Sequence, residues 1–284
     1  MTDMTRHVLT LTCRDRPGIV HAVTGGLLER DANIIESAQY DDLESGLFFM
    51  RVAFDSPVVD AEAICSSVAE RIEGGDATVR VVPVAQRDRV LILVSQLDHC
   101  LLELLYRWRI GDLSVDVVGI VSNHETCRPI AEQYGVDFHH VPVTAETKAI
   151  AESRLLELAK ANRVDLVVLA RYMQILTDQT CAELVGSAIN IHHSFLPGFK
   201  GASPYRQAHK RGVKLIGATA HYVTADLDEG PIIEQDVVRV RHGDSALDLS
   251  AIGRDVERRV LVRAVRAHAE HRVFLNGTRT VIFD

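Results

Sequence analysis

The amino-acid sequence predicts an α/β protein with two domains. A ferredoxin-like α+β domain is expected over residues 1–86, and a Rossmann-like, mostly parallel sheet with helices on both faces over 87–284. The first part of the chain shows strands and helices in the order β-α-β-β-α-β. The later part has short, continuously apolar strands between helices, which are typical of a buried parallel sheet. A polar segment at 85–89 separates the two patterns.

The N-terminal domain is predicted to begin with a strand that leads through a Pro-Gly step into a helix. Pro17 suits the first turn of a helix, and Val20, Val23 and Leu27 follow at helical spacing. A turn around 44–46 joins the second and third strands. The strands are predicted over 7–13, 32–42, 47–54 and 77–84, and the helices over 15–31 and 60–72.

The C-terminal domain is predicted from strands rich in Val, Ile and Leu that alternate with helices. In such sheets the ligand site lies outside the carboxyl ends of the strands. This rule directs attention to Arg171, to Asn190–His193 and to the loop after Thr224. The strands are predicted over 90–95, 115–122, 136–143, 164–170, 188–193, 213–224 and 230–240, and the helices over 97–109, 144–162, 178–184 and 248–270, with one more ending at Tyr134.

Composition and charge exclude several classes of protein. With 47% hydrophobic and 25% charged residues, the 284-residue chain is expected to fold rather than to be disordered. Its net charge of −8 lacks the basic character of a nucleic-acid-binding protein. No apolar run approaches the roughly 20 residues of a membrane helix, and the N-terminus does not resemble a secretory signal. Five scattered cysteines without a CxxC pair indicate neither disulfides nor a thiolate zinc site, and predict a cytoplasmic protein.

Polar residues of three kinds follow the later strands in a pattern that suits acyl-group chemistry. Asn190 and His192 are two residues apart on a strand, so both side chains point to one face. An acidic loop that contains Asp228 lies farther along the chain. An amide can stabilise an oxyanion, an imidazole can move protons near neutral pH, and a carboxylate can orient the imidazole or position water.

At these residues the chain resembles the folate-dependent formyltransferase fold shared by glycinamide ribonucleotide transformylase and methionyl-tRNA formyltransferase. The matching residues are Asn190-x-His192, Ser194 to Pro197, Lys200-Gly201, and Asp228 before Gly230-Pro231. The segment Leu169 to Leu176 is similar to the strand and loop that hold the pterin in that family. The N-terminal segment Arg14 to Val20 resembles the start of an ACT domain, a small regulatory module that commonly pairs and binds amino acids.

The combination of the two domains resembles the formyltetrahydrofolate deformylase family. The resemblance implies hydrolysis of 10-formyltetrahydrofolate to formate and tetrahydrofolate, with supply of formate for purine synthesis and control of the one-carbon folate pool. It implies a folate substrate, no retained cofactor, no metal, and a homo-oligomer that is a dimer or a tetramer. The implied catalytic residues are Asn190, His192 and Asp228, and the implied folate-binding residues are Arg171, Tyr172, Met173, Ile175, Leu176, Lys200 and His221.

An amino-acid effector is implied for the ACT-like domain. The candidate residues belong to the turn after the first strand and to the start of the second, where backbone N–H groups could hold a carboxylate. They are Asp15, Arg16, Gly18, Ile19 and Asn33. The same residues also suit an ordinary turn between a strand and a helix, because Gly permits a tight bend and Pro17 suits the first helical turn.

Several residues keep two interpretations. His193 is predicted on the face opposite His192, where packing is the simplest role, and a metal site at the two histidines has no third ligand at standard spacing. Asp226 is the alternative carboxylate to Asp228. His221 either hydrogen-bonds Asp228 or fills the sheet, and Lys200 either neutralises the glutamate of folate or is a surface lysine.

Two other functions are considered. The first is a formyltransferase that passes the formyl group of 10-formyltetrahydrofolate to an amine, and the second is a folate or amino-acid sensor without enzymatic activity. The segment Val94 to Cys100 has no glycine, and Asp98 would repel the phosphate of an acceptor. This absence favours water as the nucleophile. The intact Asn/His/Asp set counts against the sensor.

Overall fold

The computed structural model describes residues 4–58, 60–198 and 204–284, without the side chain of residue 204. The chain divides into two compact units. The first contains the residues up to 87 together with 270–276 and 281–284, and the second contains 88–269 and 277–280. In the described residues no helix is both long and apolar enough to cross a membrane.

The first unit has the predicted ferredoxin-like α+β fold. Its antiparallel sheet has the strand order β2-β3-β1-β4. The core between sheet and helices contains Leu9, Leu11, Val23, Leu27 and Phe54, none more than 1% exposed. The strands are β1 Thr5–Arg14, β2 Asn33–Asp42, β3 Leu47–Ser56 and β4 Thr78–Pro83, and the helices are α1 Ile19–Leu28 and α2 Ala61–Ala69.

Residues 270–276 and 281–284 pack with this first unit, although all of 270–284 is predicted in the C-terminal domain. Phe274 and Phe283 are buried against Phe49 of β3, with 5.9 Å between the ring centres of Phe49 and Phe274. The side-chain amide of Asn276 donates a hydrogen bond to Asp42. Apolar burial and this hydrogen bond therefore hold the segment against the unit.

The second unit has the predicted mostly parallel sheet with helices. Its seven strands have the order β11-β10-β9-β8-β5-β6-β7, and only β10 and β11 run antiparallel to their neighbours. The strands are β5 Asp88–Val94, β6 Val115–Ser122, β7 Phe138–His140, β8 Leu166–Leu169, β9 Ala188–His192, β10 Leu215–Tyr222 and β11 Ile232–Arg239.

The helices of the second unit are close to their predicted positions, with one addition. They are α3 His99–Arg109, α4 Arg128–Tyr134, α5 Lys148–Ala161, α6 Asp178–Glu183, α7 Pro204–Arg211 and α8 Ala246–Ala269. Helix α7 was not predicted, because its charged and polar residues show only a short apolar stripe. Two short strands, β12 Val273–Asn276 and β13 Arg279–Ile282, were also missed and form a small sheet near the end of the chain.

Strand order brings the candidate site residues to one edge of the seven-stranded sheet. Strands β8 and β9 are parallel neighbours, so Arg171 after β8 and His192 at the end of β9 lie at the same edge. Strand β10 runs antiparallel to β9 and pairs His221 directly with Asn190. The loop after β10 then returns across this edge with Asp228.

Candidate active site

A cavity of about 280 Å³ lies at this edge of the sheet and is lined by nearly all of the predicted catalytic and folate-binding residues. Its wall is largely apolar, with Tyr172, Met173, Ile175 and Leu176 on the loop after β8. Lys200, the remaining folate-binding candidate, lies outside the described residues. The other predicted residues in the wall are Arg171, Asn190, His192, His221 and Asp228.

His192 and Asp228 form a buried pair. Nδ1 of His192 lies 3.1 Å from Oδ1 of Asp228, and the two side chains are 6% and 8% exposed. Burial alone would raise the pKa of the Asp228 carboxyl, but the hydrogen bond from His192 and the electrostatic interaction with that ring lower the pKa below its ordinary value. Asp228 is therefore a carboxylate at neutral pH and accepts a hydrogen bond from Nδ1–H of His192. Within the described residues Nε2 of His192 is buried without a partner.

Asn190 is oriented by His221. Nδ1 of His221 lies 2.9 Å from the carbonyl oxygen of Tyr222, so this nitrogen must donate. Burial lowers the pKa of His221 below its ordinary value, so the ring is neutral and Nε2 is an acceptor. Nε2 lies 3.2 Å from Nδ2 of Asn190, which donates to it. The second proton on Nδ2 remains available to a ligand in the cavity.

The loop that carries Asp228 is tightly constrained. Asp228 has a φ of 60°, in the left-handed region that few residues other than glycine adopt. A Cβ atom at Gly230 would lie 1.7 Å from the carbonyl oxygen of Tyr222, so only glycine fits. The neighbouring carboxylate, Asp226, also borders the cavity but is exposed, and no histidine pairs with it in the described part of the chain. The geometry therefore favours Asp228 over Asp226 as the partner of His192.

Ser95 anchors the loop after β8, a role that sequence reasoning missed. Its backbone N–H donates to the carbonyl of Arg171, and its hydroxyl accepts from the backbone N–H of Met173. Arg171, whose carbonyl makes the first of these contacts, has a φ of 66°. The loop leaves Met173 and Ile175 more than half exposed at the cavity, where flat apolar rings of a ligand could pack.

Arg171 also contacts a buried carboxylate, Glu257 of α8, which sequence reasoning missed. The carboxylate accepts hydrogen bonds from Tyr205 (2.6 Å) and His99 (2.9 Å), and Nε of Arg171 lies 3.4 Å from it. Burial acts to raise the pKa of Glu257, but the hydrogen bond from His99 and the charge of Arg171 lower it. A single Glu in an amphipathic helix carries no sequence signal of such burial.

The cluster around Glu257 contains side chains of types that can bind a metal ion. Ligand atoms of His99, Cys100 and Glu257 lie within 4.8 Å of one another. However, burial raises the pKa of the Cys100 thiol well above its ordinary value, and Arg171 already supplies the positive charge beside Glu257. These residues do not fit a cation, because a metal needs a thiolate and would be repelled by the guanidinium.

His193 packs against Tyr205, in line with the predicted packing role, and also borders the cavity that contains His192. Strand β9 ends at His192, so the strict alternation of faces does not extend to His193. The His193 ring meets His192 edge to face, with 5.2 Å between ring centres. Burial and the nearby charge of Arg171 lower the pKa of His193 to about 3. The ring is therefore neutral at physiological pH.

The candidate effector residues of the first unit occupy a turn and its surroundings. Gly18 precedes α1 with a φ of 96°, and Ile19 is buried in the core. Nη2 of Arg16 lies 2.6 Å from Asp76, and this hydrogen bond is the main reason that the pKa of Asp76 falls to about 2. Asp15 and Asn33 are exposed. The turn is thus well formed, and its use by a ligand stays a prediction.

Comparisons with known proteins agree with this arrangement. The formyl transferase family model matches residues 88–265, and the ACT domain model matches 7–63. Formyltetrahydrofolate deformylase of Corynebacterium sp. (strain P-1) is 51% identical over 99% of both chains. The crystal structure of formyltetrahydrofolate deformylase from Burkholderia mallei ATCC 23344 is 51% identical, with a TM-score of 0.93 over 99% of this chain and 100% of that chain. Glycinamide ribonucleotide transformylase 1 from Symbiobacterium toebii is 35% identical, with a TM-score of 0.67 over 70% of this chain and 95% of that chain.

Proposed function

The chain belongs to the formyltetrahydrofolate deformylase family, and from this premise we propose that it hydrolyses 10-formyltetrahydrofolate to formate and tetrahydrofolate. The observation that carries the proposal is the buried His192–Asp228 pair beside Asn190 in a largely apolar cavity. The apolar wall suits the rings of a folate. The three polar groups suit attack on its formyl group.

The proposed reaction uses these groups in sequence. A water molecule attacks the formyl carbon while Nε2 of His192 takes one of its protons, and Asp228 stabilises the imidazolium that forms. Nδ2 of Asn190 donates a hydrogen bond to the oxyanion. The bond between the formyl carbon and N10 then breaks, N10 receives the proton from His192, and formate leaves. The reaction requires no bound metal or retained cofactor.

Water rather than an amine is the proposed nucleophile, and the start of α3 supports this choice. An acceptor that carries a phosphate would be expected at a helix N-terminus with free backbone N–H groups. Asp98 precedes α3 and places a negative charge there, and the side chain of its first residue, His99, is bound to Glu257. These features therefore support a formyltransferase with a phosphorylated acceptor less well than a hydrolase.

The activity is tested with 10-formyltetrahydrofolate and purified protein in the absence of any amine. We expect formate and tetrahydrofolate in equal amounts, and strongly reduced release of both in Asn190→Ala. Loss of one oxyanion donor costs about 10²–10³ in rate. Intact substrate that is consumed only after addition of an amine, with no formate, would contradict hydrolysis.

Regulation and assembly are proposed for the first unit. We propose that the chain forms a homo-oligomer and that this unit binds an amino-acid effector at Asp15, Arg16, Gly18, Ile19 and Asn33. Support comes from the ACT match and from β2, an edge strand with Ile35 and Tyr40 about half exposed, because exposed edges invite pairing. The formate assay with each common amino acid, and sedimentation of the same samples, tests both. An unchanged rate with every amino acid would contradict the effector site, and sedimentation as a monomer would contradict the homo-oligomer.

The biological setting follows from the proposed activity. Five unpaired cysteines suit a reducing compartment, and we place the reaction in the cytoplasm. Release of formate from 10-formyltetrahydrofolate would there supply formate for purine synthesis and return tetrahydrofolate to the one-carbon pool.

A further inference from the structure

Three histidines line the cavity, and they differ in what their ring nitrogens contact. Nδ1 of His192 is bound to Asp228, and both nitrogens of His221 have partners. Among residues 4–58, 60–198 and 204–284, neither ring nitrogen of His193 has a hydrogen-bond partner, although the ring is half-buried. Unlike Nε2 of His192, these nitrogens are not sealed from solvent, so a water molecule can bind to them.

His193 lies between the reaction cavity and a second cavity. On its other side the ring faces Tyr205 and a second cavity of about 390 Å³ with a mainly apolar wall. The Tyr205 hydroxyl is already bound to Glu257, and the Ser194 hydroxyl is bound to the carbonyl of Gly198. In the described structure neither of these two hydroxyls is bound to His193.

We propose that His193 holds the attacking water in place by accepting one of its hydrogen bonds, while Nε2 of His192 takes the other proton. This inference rests on the proposed function. A water bridging two nitrogens lies about 2.9 Å from each. The 5.2 Å between the two ring centres is compatible with such a bridge. When both hydrogens of the water are engaged in hydrogen bonds to these two rings, a lone pair of its oxygen can point at the formyl carbon.

The neutral ring of His193 suits this role. Its low pKa, about 3, makes it a poor proton acceptor, so it does not compete with His192 for the proton. An unprotonated nitrogen still accepts a hydrogen bond. The atoms balance as in the proposed hydrolysis: water supplies the hydroxyl of formic acid and the proton that N10 receives, and His193 ends unchanged.

Two substitutions separate the hydrogen bond from the ring shape. His193→Phe keeps an aromatic ring against His192 and Tyr205 but has no nitrogen, whereas His193→Asn keeps a hydrogen-bonding group without the ring. We expect His193→Phe to lower kcat for formate release about 10²-fold, the scale of a misplaced reactant, with KM little changed. His193→Asn should retain clearly more activity than His193→Phe. A purely structural role predicts the reverse order.

Hydroxylamine provides the second readout, because it is a strong nucleophile that does not depend on the water site. It attacks the same carbon and releases formohydroxamate and tetrahydrofolate. We expect His193→Phe to lose far less of this reaction than of hydrolysis, with thermal unfolding like that of the wild type. An equal loss of both reactions, or full hydrolysis in His193→Phe, would overturn the role of His193. No formate from the wild-type protein would instead reject the proposed function.

Discussion

Asp228→Asn is expected to lower kcat for formate release by about 10³-fold or more. The asparagine side chain matches the carboxylate in shape and tolerates the left-handed backbone at φ 60°, so the loop should keep its path. Its amide, however, would donate toward Nδ1 of His192. His192 would then carry its proton on Nε2 and could not take a proton from water.

The matched control for this substitution is Asp226→Asn. Asp226 is exposed at the rim of the same cavity, and the described structure pairs no histidine with its side chain. Formate release by Asp226→Asn should stay close to the wild-type rate. Steady-state assays of formate release by both variants, with thermal unfolding to confirm that each is folded, show which carboxylate the reaction uses. A loss that follows Asp226 instead of Asp228 would show that the carboxylate is assigned to the wrong residue.

Gly230→Ala is expected to abolish most activity and to destabilise the second unit. The added methyl would lie 1.7 Å from the carbonyl oxygen of Tyr222 and 3.1 Å from Nδ1 of His221, so backbone must move. That carbonyl accepts from His221, and the Tyr222 N–H donates to the carbonyl of Pro231. Displacement would therefore disturb both the orientation of Asn190 and the position of Asp228. Overpacking of this kind costs about 1–3 kcal/mol or more.

Gly243→Ala serves as the control for that substitution. A Cβ atom at Gly243 meets nothing within 4 Å, and its φ is not in the left-handed region. We expect Gly243→Ala to match the wild-type protein in urea unfolding and in formate release. Gly230→Ala should show a lower unfolding midpoint and a rate at least about tenfold lower, because small displacements of reacting groups cost up to about 10² in rate. Wild-type behaviour of Gly230→Ala would contradict the tight approach to Tyr222.

Much of the fold follows from local pattern. The apolar runs of β5 and β8 are buried on both faces, and they lie at the centre of the parallel sheet. Gly18 directly precedes α1 and has the positive φ that glycine permits, whereas Pro17 lies before the helix and not in its first turn as predicted. Two-residue spacing on β9 correctly places Asn190 and His192 in the same cavity wall. These features depend on residues close together in the chain.

The remaining features depend on partners far apart in the chain. The burial of Glu257 requires Arg171, His99 and Tyr205, which come from three other segments. Ser95 supports the loop at Met173, 78 residues later. The position of His193 beside the cavity depends on the exact residue at which β9 ends, and strand ends are the least certain part of any sequence-based prediction. No local pattern carries this information.

The choice of water as the nucleophile is tested most directly in water enriched in ¹⁸O. The purified protein is mixed with 10-formyltetrahydrofolate for a single turnover, and the formate is analysed by mass spectrometry. We expect one labelled oxygen in each formate, since one oxygen comes from the formyl group and the other from the attacking water. Formate without label, or tetrahydrofolate released without formate, would contradict hydrolysis at the Asn190–His192–Asp228 site.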